Sequence, residues 1–391
     1  MAGTRPFIIT GGGTAGHTNP GIAVAEALVA AGLSSDEVHF VGGIRGNEGE
    51  LVPAAGFSID LLPGRGIQRR LTPANIGSVL GLMAGFVKGF AIVVKRKPRA
   101  VLCLGGYAAF AASAAAVLLR IPLVVTEQNA RASAVNRLFG KFATVCALPF
   151  PDTDLPNGVL TGNPIRSEIV SAVESAEREQ ARAGLADRYR NQDNESAESQ
   201  SSPMSPVDLA GRVLVAVWAG SLGATKINEA VSELAELWSD RTDLAIYHVV
   251  GTRDWDRFAT NPPKNDDGLL YLTVKYENRM PELLVAADVA VCRAGASTVT
   301  ELAVAGLPAI LVPLPGAPRD HQRANTEEVE LAGGAVVVDN ALVTGQMLAD
   351  LLTPMVSDES KRAEMAAGAA SVARPAAAPD VAKLLMEAGG A

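Results

Sequence analysis

The chain has 391 residues, of which 48% are hydrophobic and 5% aromatic, and its formal net charge is −8. This length favours two domains over one, and the negative charge argues against nucleic acid as a partner. The three cysteines lie far apart without metal-ligand or redox spacing, so we expect buried thiols in a reducing cytosol. The residues before the first apolar run are too few for the hydrophobic region of a signal peptide.

Short apolar runs alternate with helix-like segments in the first part of the chain. The helix-like segments include residues 19–32 and 107–120. The apolar runs end in glycine or polar residues and are FIIT (7–10), VHFVGG (38–43), AVLCLGG (100–106) and PLVVTEQN (122–129). This βαβ rhythm predicts an α/β fold with a parallel sheet covered by helices.

The rhythm weakens after residue 169 and restarts at residue 212. Residues 188–208, rich in Ser, Glu, Gln and Pro, predict a disordered loop. Further strands are predicted within 212–218, 244–251, 269–276, 289–293 and 309–314. We therefore expect two domains, residues 1–166 and 167–374, with a C-terminal helix at about 375–391 that packs back on the first.

Two segments echo each other as strand, glycine-rich turn and helix. They are FIITGGGTAGHTNPGIAVAEAL near the start and LVAVWAGSLGATKINEAVSEL from residue 213. The echo predicts two Rossmann-like, doubly wound halves that face each other across a cleft. Ligands of open α/β sheets bind at the carboxyl edge of the strands, where both turns would lie.

The first turn, residues 11–16, satisfies the dinucleotide pattern G-x-G-x-x-G. That pattern also needs an acidic residue at the end of the second strand, whereas Asp36 and Glu37 precede VHFV and this strand ends in Gly-Gly. The sequence context therefore disfavours a nicotinamide cofactor. A tight packing turn would explain the glycines, and a free helix N-terminus would favour an anion or a polar acceptor group.

His17 follows this turn at the predicted carboxyl edge of the first strand. A helix N-terminus lowers the pKa of an imidazole, which keeps it neutral and able to accept a proton. A solvated or hydrogen-bonded structural histidine is the alternative. His39 and His248 lie inside predicted strands and are expected in the core or on the surface.

The second turn, AGSLGATK, carries Ser221 between two glycines at a helix start. A serine at this position is either an ordinary N-cap or a phosphate contact. The residues of this turn alone leave both interpretations open.

Residues 287–325 combine several features of a nucleotide site. A strand ends at Arg293, and the small residues AGAST that follow would let backbone approach a ligand. Glu301 could accept two hydrogen bonds from a ribose diol, or it could complete a capping box with Ser297 or Thr298. The capping box does not explain why DHQRAN (320–325) follows the next strand at the same sheet edge.

Seven motifs in this order resemble the MurG family of bacterial N-acetylglucosaminyltransferases, and they span most of the chain. They are GGTAGH (12–17), GGY (105–107), EQN (127–129), GNPIR (162–166), GSLGA (220–224), CRAGASTVTE (292–301) and DHQRAN (320–325). The resemblance implies a two-domain GT-B fold. It also implies inverting transfer of N-acetylglucosamine from UDP-N-acetylglucosamine to lipid I (undecaprenyl-pyrophosphoryl-N-acetylmuramoyl pentapeptide), giving lipid II for peptidoglycan.

On the acceptor side, the resemblance implies that His17 is the general base on the acceptor hydroxyl. The diphosphate and sugar side of the cleft would be lined by Thr14, Ala15 and Gly16. The N-terminal domain would face the acceptor and the membrane.

On the donor side, the resemblance places Asn129 and Gln322 on the sugar, and Arg166 and Ser221 at the diphosphate. Glu301 would bind the ribose. The nucleoside would be held by consecutive residues of one helix start, Ala296, Ser297, Thr298, Val299, Thr300 and Glu301.

The chain departs from the family pattern at three places. Leu222 stands where the family usually has Gln, and Glu277 stands where an apolar residue usually touches uracil. The polar segment after residue 170 also exceeds the family's typical connection. Leu222 cannot make the polar donor contact of the Gln it replaces, and the Glu277 side chain is left without an assigned role.

We expect neither a cofactor nor an obligatory metal. UDP is a good leaving group, and helix N-termini together with Arg166 can neutralise its diphosphate. We assign no Asp-x-Asp pair to a metal. A different GT-B transferase, a UDP-N-acetylglucosamine epimerase and a non-catalytic sugar-nucleotide binder remain as alternatives.

The segment between Leu61 and Thr126 contains no acidic residue. Residues 76–94 within it are almost wholly apolar, with glycines at 77, 81, 85 and 89. The basic residues of the segment are Arg65, Arg69, Arg70, Lys88, Lys95, Arg96, Lys97, Arg99 and Arg120.

A transmembrane helix and an ordinary buried helix are two explanations of this apolar stretch. We favour a third, because a GT-B domain leaves no room for a span. Residues 65–99 would form a peripheral patch on an anionic membrane surface, with basic residues on the headgroups. This places the protein on the cytoplasmic face of the bacterial plasma membrane.

Overall fold

The computed structural model describes residues 5–13, 15–64, 74–196, 208–220, 222–258 and 268–390. The chain divides into two compact units. The first runs to Ser167 and resumes at Arg374, and the second is Glu168–Ala373. Both divisions fall one residue from the expected boundaries at 166/167 and 374/375.

The first unit contains seven strands and, on either side of them, six helices among the described residues. The strands are β1 (Phe7–Gly11), β2 (Val38–Gly43), β3 (Ser58–Leu62), β4 (Val101–Gly105), β5 (Leu123–Thr126), β6 (Val145–Leu148) and β7 (Gly158–Leu160). The helices are α1 (Ala15–Ala30), α2 (Glu48–Ala54), α3 (Ala74–Arg96), α4 (Gly106–Leu118), α5 (Ala134–Phe139) and the C-terminal α16 (Ala377–Ala388). All strand pairs are parallel, in the order β3-β2-β1-β4-β5-β6-β7.

The second unit repeats this arrangement. Its strands are β8 (Val213–Trp218), β9 (Leu244–Val249), β10 (Leu270–Val274), β11 (Val289–Cys292), β12 (Ala309–Leu311) and β13 (Ala335–Val337). Its helices follow α6 (Ser167–Ser175), which crosses the boundary, and are α7 (Arg178–Ser196), α8 (Thr225–Leu237), α9 (Trp255–Phe258), α10 (Met280–Ala286), α11 (Ala296–Ala305), α12 (His321–Asn325), α13 (Glu327–Leu331), α14 (Gly345–Ser357) and α15 (Glu359–Ser371). The strand order is β10-β9-β8-β11-β12-β13, again all parallel.

Both sheets therefore have the doubly wound Rossmann order, as the βαβ rhythm predicts. In this order the second and third strands of each unit lie on one side of its first strand, and the fourth strand lies on the other side. Ligands bind outside the carboxyl ends of the strands at such a switch point. The two glycine-rich turns follow β1 and β8, the strands that border the switch points.

Continuous apolar strands are needed because helices cover both faces of a parallel sheet. Phe7 and Ile9 of β1 pack on one face, in a core that also contains Val381 and Leu385 of α16. Ile8 faces the opposite core, formed with α3 and α4. The C-terminal helix thus completes the first unit.

The prediction of a disordered loop over 188–208 is wrong for its first part. Helix α7 continues to Ser196, and residues 197–207 lie outside the described part of the chain. Arg182, on the same helix, is bonded to Asp288 at 2.6 Å and to the carbonyl of Ala286 at 3.1 Å. Tertiary contacts of this kind order a helix whose polar composition alone does not favour packing.

The three cysteines, Cys103, Cys146 and Cys292, are free and buried, as expected. Burial raises the pKa of the Cys103 and Cys146 thiols to about 11. They are therefore packed as small apolar groups rather than as reactive thiolates.

Candidate active site

The first glycine-rich turn brings the backbone of two strand ends together. Gly12 and Gly13 have φ values of 143° and 103°, which side-chain-bearing residues rarely adopt. A Cβ on Gly106, at the start of α4, would lie 2.5 Å from the carbonyl oxygen of Gly12. The turns after β1 and β4 therefore meet at the switch point, and glycine is required on both.

Helix α1 begins at Ala15, within the last residues of this turn. Gly16 is exposed and His17 is half-buried in the first turn of the helix. Thr14 lies outside the described residues. The structure thus places Gly16 and His17 where the sequence predicts them, at the carboxyl edge of the first sheet.

The environment of His17 combines burial with negative charge. Burial lowers the pKa of His17, while the carboxylates of Glu127 and then Glu48 oppose this effect. The imidazole is therefore neutral at neutral pH and can accept a proton. The two carboxylates would stabilise the imidazolium that results.

Glu127 organises the loop that carries Asn129. Its fully buried carboxylate accepts hydrogen bonds from the N–H groups of Gln128 (2.9 Å), Asn129 (3.1 Å) and Ser133 (2.9 Å), and from Asn136 Nδ2 (2.8 Å). The EQN motif predicts only Asn129 as a site residue. Glu127 was missed, although an acidic residue directly after a predicted buried strand is a signal that could have identified it.

Arg166 is half-buried near the end of the first unit, four residues after Gly162. Gly162 has a φ of 89°, and a Cβ there would lie 2.6 Å from the Cβ of Arg374. This close contact fixes the loop that leads to Arg166 against the segment preceding α16.

The second glycine-rich turn also depends on close backbone contact. A Cβ on Gly223 would lie 2.1 Å from the carbonyl oxygen of Val250, just after β9. Helix α8 has Ala224 as its N-cap, with no side-chain cap. The alternative of an ordinary serine N-cap is therefore wrong for this helix, although Ser221 itself lies outside the described residues.

A series of buried side-chain hydrogen bonds stabilises this turn. His248 Nε2 lies 3.0 Å from Asn228 Oδ1, so this nitrogen carries the proton, and Nδ1 accepts from the Tyr271 hydroxyl at 2.8 Å. Asn228 Nδ2 then donates to the carbonyl of Val250 (3.0 Å) and to Asp254 Oδ2 (3.2 Å). The start of α8 is thereby fixed to the end of β9.

The burial of His248 predicts that the stability of the folded protein decreases at acidic pH. Burial lowers the pKa of His248 to about 3, whereas an unfolded histidine titrates near about 6.5. Below about pH 6.5 only the unfolded chain binds this proton, so stability is lost as the pH falls, by roughly 1.4 kcal/mol per pH unit down to the folded pKa. We expect urea unfolding of His248→Gln to show a shallower pH dependence than wild type between about pH 7 and 5.

The comparison of slopes isolates this residue from the carboxylates that titrate in the same range. A His248 imidazole that titrates above about pH 5 in an NMR experiment on the folded protein would contradict the prediction.

Helix α11 starts at the switch point of the second unit. Its N-cap is Gly295, with no side-chain cap, and its first turn contains no acidic residue. Glu301 lies in the second turn, so the capping box with Ser297 or Thr298 is wrong. Ser297, Thr298 and Glu301 are half-buried, whereas the other predicted nucleoside residues, Ala296, Val299 and Thr300, are buried.

The DHQRAN segment lies at the same sheet edge, as predicted. Gln322 Oε1 accepts from the Leu314 N–H at 2.8 Å, and Asn325 Nδ2 donates to the carbonyl of Ala294 at 3.2 Å. The loops after β11 and β12 are thereby joined beside α11. Since the Gln322 oxygen is used in this bond, its amide nitrogen is the group that could donate to a sugar.

Two non-glycine residues next to Gln322 have left-handed backbone conformations. Arg319 has a φ of 56° and Asp320 a φ of 52°. Such residues cost free energy and are concentrated at functional sites.

Two of the three departures from the family pattern, Glu277 and Leu222, are single residues whose surroundings the structure shows. The Glu277 side chain is buried, accepts from the Tyr247 hydroxyl and the Arg279 N–H at 2.7 Å each, and lies 3.5 Å from Arg188 Nε. It therefore supports the start of α10 from within the unit. Leu222, in contrast, is 59% exposed in the second turn.

The sequence contains two Asp-x-Asp pairs, Asp152/Asp154 and Asp254/Asp256, and one carboxylate of each is hydrogen-bonded within the protein. Asp154 accepts from the Ala132 N–H at 2.8 Å, and Asp254 from the Thr225 hydroxyl at 2.9 Å. Within the described ranges, no three His, Cys, Asp or Glu side chains are grouped so that they could hold a metal ion.

The two units match the N-terminal and C-terminal domains of one enzyme family. Residues 7–148 match the glycosyltransferase family 28 N-terminal domain, and residues 214–384 match the glycosyltransferase family 28 C-terminal domain. The protein is therefore a family 28 glycosyltransferase with a GT-B fold.

Full-length relatives narrow this class. A Streptomyces coelicolor protein is 34% identical over 378 residues, covering 94% of this chain and 93% of its own. A Desulforamulus reducens protein is 32% identical over 385 residues, covering 96% of both. Both are named UDP-N-acetylglucosamine–N-acetylmuramyl-(pentapeptide) pyrophosphoryl-undecaprenol N-acetylglucosamine transferase, and this chain belongs to their family, MurG.

A comparison with solved structures also finds MurG. MurG from Acinetobacter baumannii superimposes with a TM-score of 0.72 at 25% identity, covering 98% of this chain and 99% of that one. A putative UDP-N-acetylglucosamine 2-epimerase from Listeria monocytogenes gives a TM-score of 0.64 at 14% identity, covering 96% and 94%. The latter similarity shows the shared fold alone.

Proposed function

We propose that the chain is a hexosyltransferase that moves N-acetylglucosamine from UDP-N-acetylglucosamine to lipid I, with inversion, to give lipid II for peptidoglycan synthesis. Its similarity to the transferases of that name extends over nearly the whole chain. The structural observation that carries the proposal is the position of His17 in the first turn of α1, at the switch point of the first sheet, where burial lowers its pKa.

On the acceptor side, His17 takes the proton of the acceptor hydroxyl as this oxygen attacks the anomeric carbon. Thr14, Ala15 and Gly16 bind the diphosphate and sugar beside it. The N–H groups at the start of α1 favour an anionic group at this position.

On the donor side, the start of α11 from Ala296 to Thr300 holds the nucleoside, and Glu301 accepts the ribose hydroxyls. Asn129 and the Gln322 amide bind the sugar. Arg166, Ser221 and the N–H groups at the start of α8 stabilise the charge that develops on the departing UDP. The proposed reaction uses these groups without a metal.

The deciding experiment supplies the purified protein with UDP-[14C]N-acetylglucosamine and a lipid I analogue in detergent. Radioactive disaccharide product supports the proposal, and its absence with active lipid I contradicts it. A parallel incubation with the donor alone tests the epimerase alternative, because only an epimerase would form the 2-epimer of the sugar. Donor binding without either product would indicate a sugar-nucleotide binding protein.

We further propose that the exposed face of α3 binds an anionic membrane surface on the cytoplasmic side. No helix among the described residues is long and apolar enough to cross a membrane. Met83, Val87 and Val94 are 62%, 66% and 44% exposed and share one helical face. Lys88 and Lys95 beside them are exposed. Part of the proposed patch, residues 65–73, lies outside the described residues.

The glycine row of α3 faces the other way, into the unit. A Cβ on Gly85 would lie 2.4 Å from the carbonyl oxygen of Pro63, and one on Gly89 would lie 2.6 Å from the Cβ of Ala111. Close packing on one face, which the row predicts, is confirmed for these glycines. The apolar residues on the exposed face are thus left for another surface.

Met83→Asp combined with Val87→Asp is expected to weaken binding to phosphatidylglycerol vesicles at least about tenfold, because each buried apolar side chain contributes roughly 1.5–3 kcal/mol. Vesicle sedimentation measures the effect, and binding should also fall with salt. Leu331→Asp is the matched control, because Leu331 is 89% exposed in the second unit. Equal binding by both variants would argue against this patch.

A further inference from the structure

The first glycine-rich turn contains a carboxylate of the protein itself. Glu48, the first residue of α2, is 2% exposed, and its Oε1 accepts the Gly13 N–H at 2.5 Å. A Cβ on Gly12 would lie 1.5 Å from this oxygen, and one on Gly46 would lie 1.7 Å from Oε2. The glycines therefore enclose Glu48 in the way that a phosphate-binding turn encloses its ligand.

The Gly-Gly end of β2 belongs to the same arrangement. A Cβ on Gly42 would lie 3.1 Å from the Cβ of Glu48, and one on Gly43 would lie 2.0 Å from the Tyr107 hydroxyl. The glycines that distinguish this sequence from a dinucleotide site thus make room for Glu48 and Tyr107. A phosphate in the turn would have to displace a buried carboxylate of like charge.

The charge of Glu48 also acts on its neighbours. Its second oxygen, Oε2, is buried and has no hydrogen-bond partner among the described residues. Glu127 and, to a smaller extent, Glu48 raise the pKa of His17 against the larger effect of burial. Burial and Glu48 together raise the pKa of Tyr107, and Arg45 opposes them.

We propose that Glu48 is a positioning residue that fills the Gly12–Gly13 part of the first glycine-rich turn as a built-in anion and adds, after Glu127, to the negative charge that stabilises protonated His17. The Gly12–Gly13 part of the turn is consequently closed to phosphate, and an acceptor diphosphate is left with residues 14–16 and the N–H groups at the start of α1. The effect on turnover rests on the proposed function, in which His17 is the base.

Glu48→Gln keeps the shape of the side chain and an oxygen for the Gly13 N–H but removes the charge. We expect kcat to fall about tenfold and the KM for UDP-N-acetylglucosamine to stay within about twofold. The His17 imidazole, assigned among the four histidines by its loss in His17→Ala, should titrate about one pH unit lower in ligand-free Glu48→Gln. Glu50→Gln, an exposed carboxylate of the same helix, should change neither property.

The NMR titration separates the two proposals, because it needs no activity. An unchanged His17 titration in Glu48→Gln would overturn the electrostatic role even if transfer is observed, whereas a shifted titration without transfer would count against the proposed function alone. A measurement on the wild-type protein covers the case in which the variant does not fold. Inorganic pyrophosphate should leave the Gly13 amide signal unshifted, and a saturable shift would show that the Gly13 N–H binds phosphate and overturn the proposal.

Discussion

His17→Ala is expected to lower kcat by about 10²- to 10⁴-fold, which is the usual contribution of a positioned general base. The reason is local: the half-buried imidazole at the start of α1 is kept neutral by burial. Single-turnover transfer from UDP-N-acetylglucosamine to a lipid I analogue measures the loss. UDP binding, followed by calorimetry, should be unchanged, because the proposed nucleoside contacts lie in the other unit.

The matched control is His321→Ala, which removes a histidine from the second unit. It is expected to leave the pH dependence of turnover unchanged. Transfer by His17→Ala within about threefold of wild type, in a protein with an unchanged melting temperature, would remove His17 as the base.

Glu301→Ala is expected to raise the KM for UDP-N-acetylglucosamine by about 10- to 100-fold with little change in kcat. A carboxylate that accepts two ribose hydroxyls contributes roughly 1.5–3 kcal/mol through hydrogen bonds to a charged group. Because the ribose does not change during transfer, this binding energy is the same in the ground state and the transition state. Steady-state kinetics with saturating acceptor measures both constants.

The donor analogue with 2′-deoxyribose makes the test specific. Wild type should bind this analogue more weakly than the natural donor, whereas Glu301→Ala should bind both alike. Discrimination that persists in the variant would show that another group recognises the ribose. Glu327→Ala, in the neighbouring helix α13, serves as a control for the loss of one negative charge.

Periodicity and turn chemistry predicted the central strands well. β1, β4, β5, β8, β9 and β11 are continuous apolar runs that end in glycine or polar residues, so their sequence follows from burial on both faces. The edge strand β3 was not predicted, because its residues are mostly half-buried and its pattern is weak. Helix α7 was missed in part because its stability comes from ion pairs with a distant segment, including Arg182 with Asp288.

The sequence likewise predicted some residues of the candidate site and missed others. His17, Gln322 and Glu301 could be predicted because each stands in a motif next to a strand end. Glu48 could not, because it lies 35 residues along the chain from the Gly13 N–H that it accepts. Asn228 and His248, which support the second turn, are likewise brought together only by the packing of α8 on β9.

The sequence by itself determined the fold class, the two-domain organisation and the two turns, because these depend on local patterns of apolar and glycine residues, and its motifs determined the family by resemblance. Only the tertiary structure decided what occupies the first turn, that Glu277 is buried beneath α10, and that Glu301 belongs to no capping box. Those outcomes depend on which side chains meet across long sequence separations. Local propensity does not encode such meetings, whereas burial and hydrogen bonding in the folded units do.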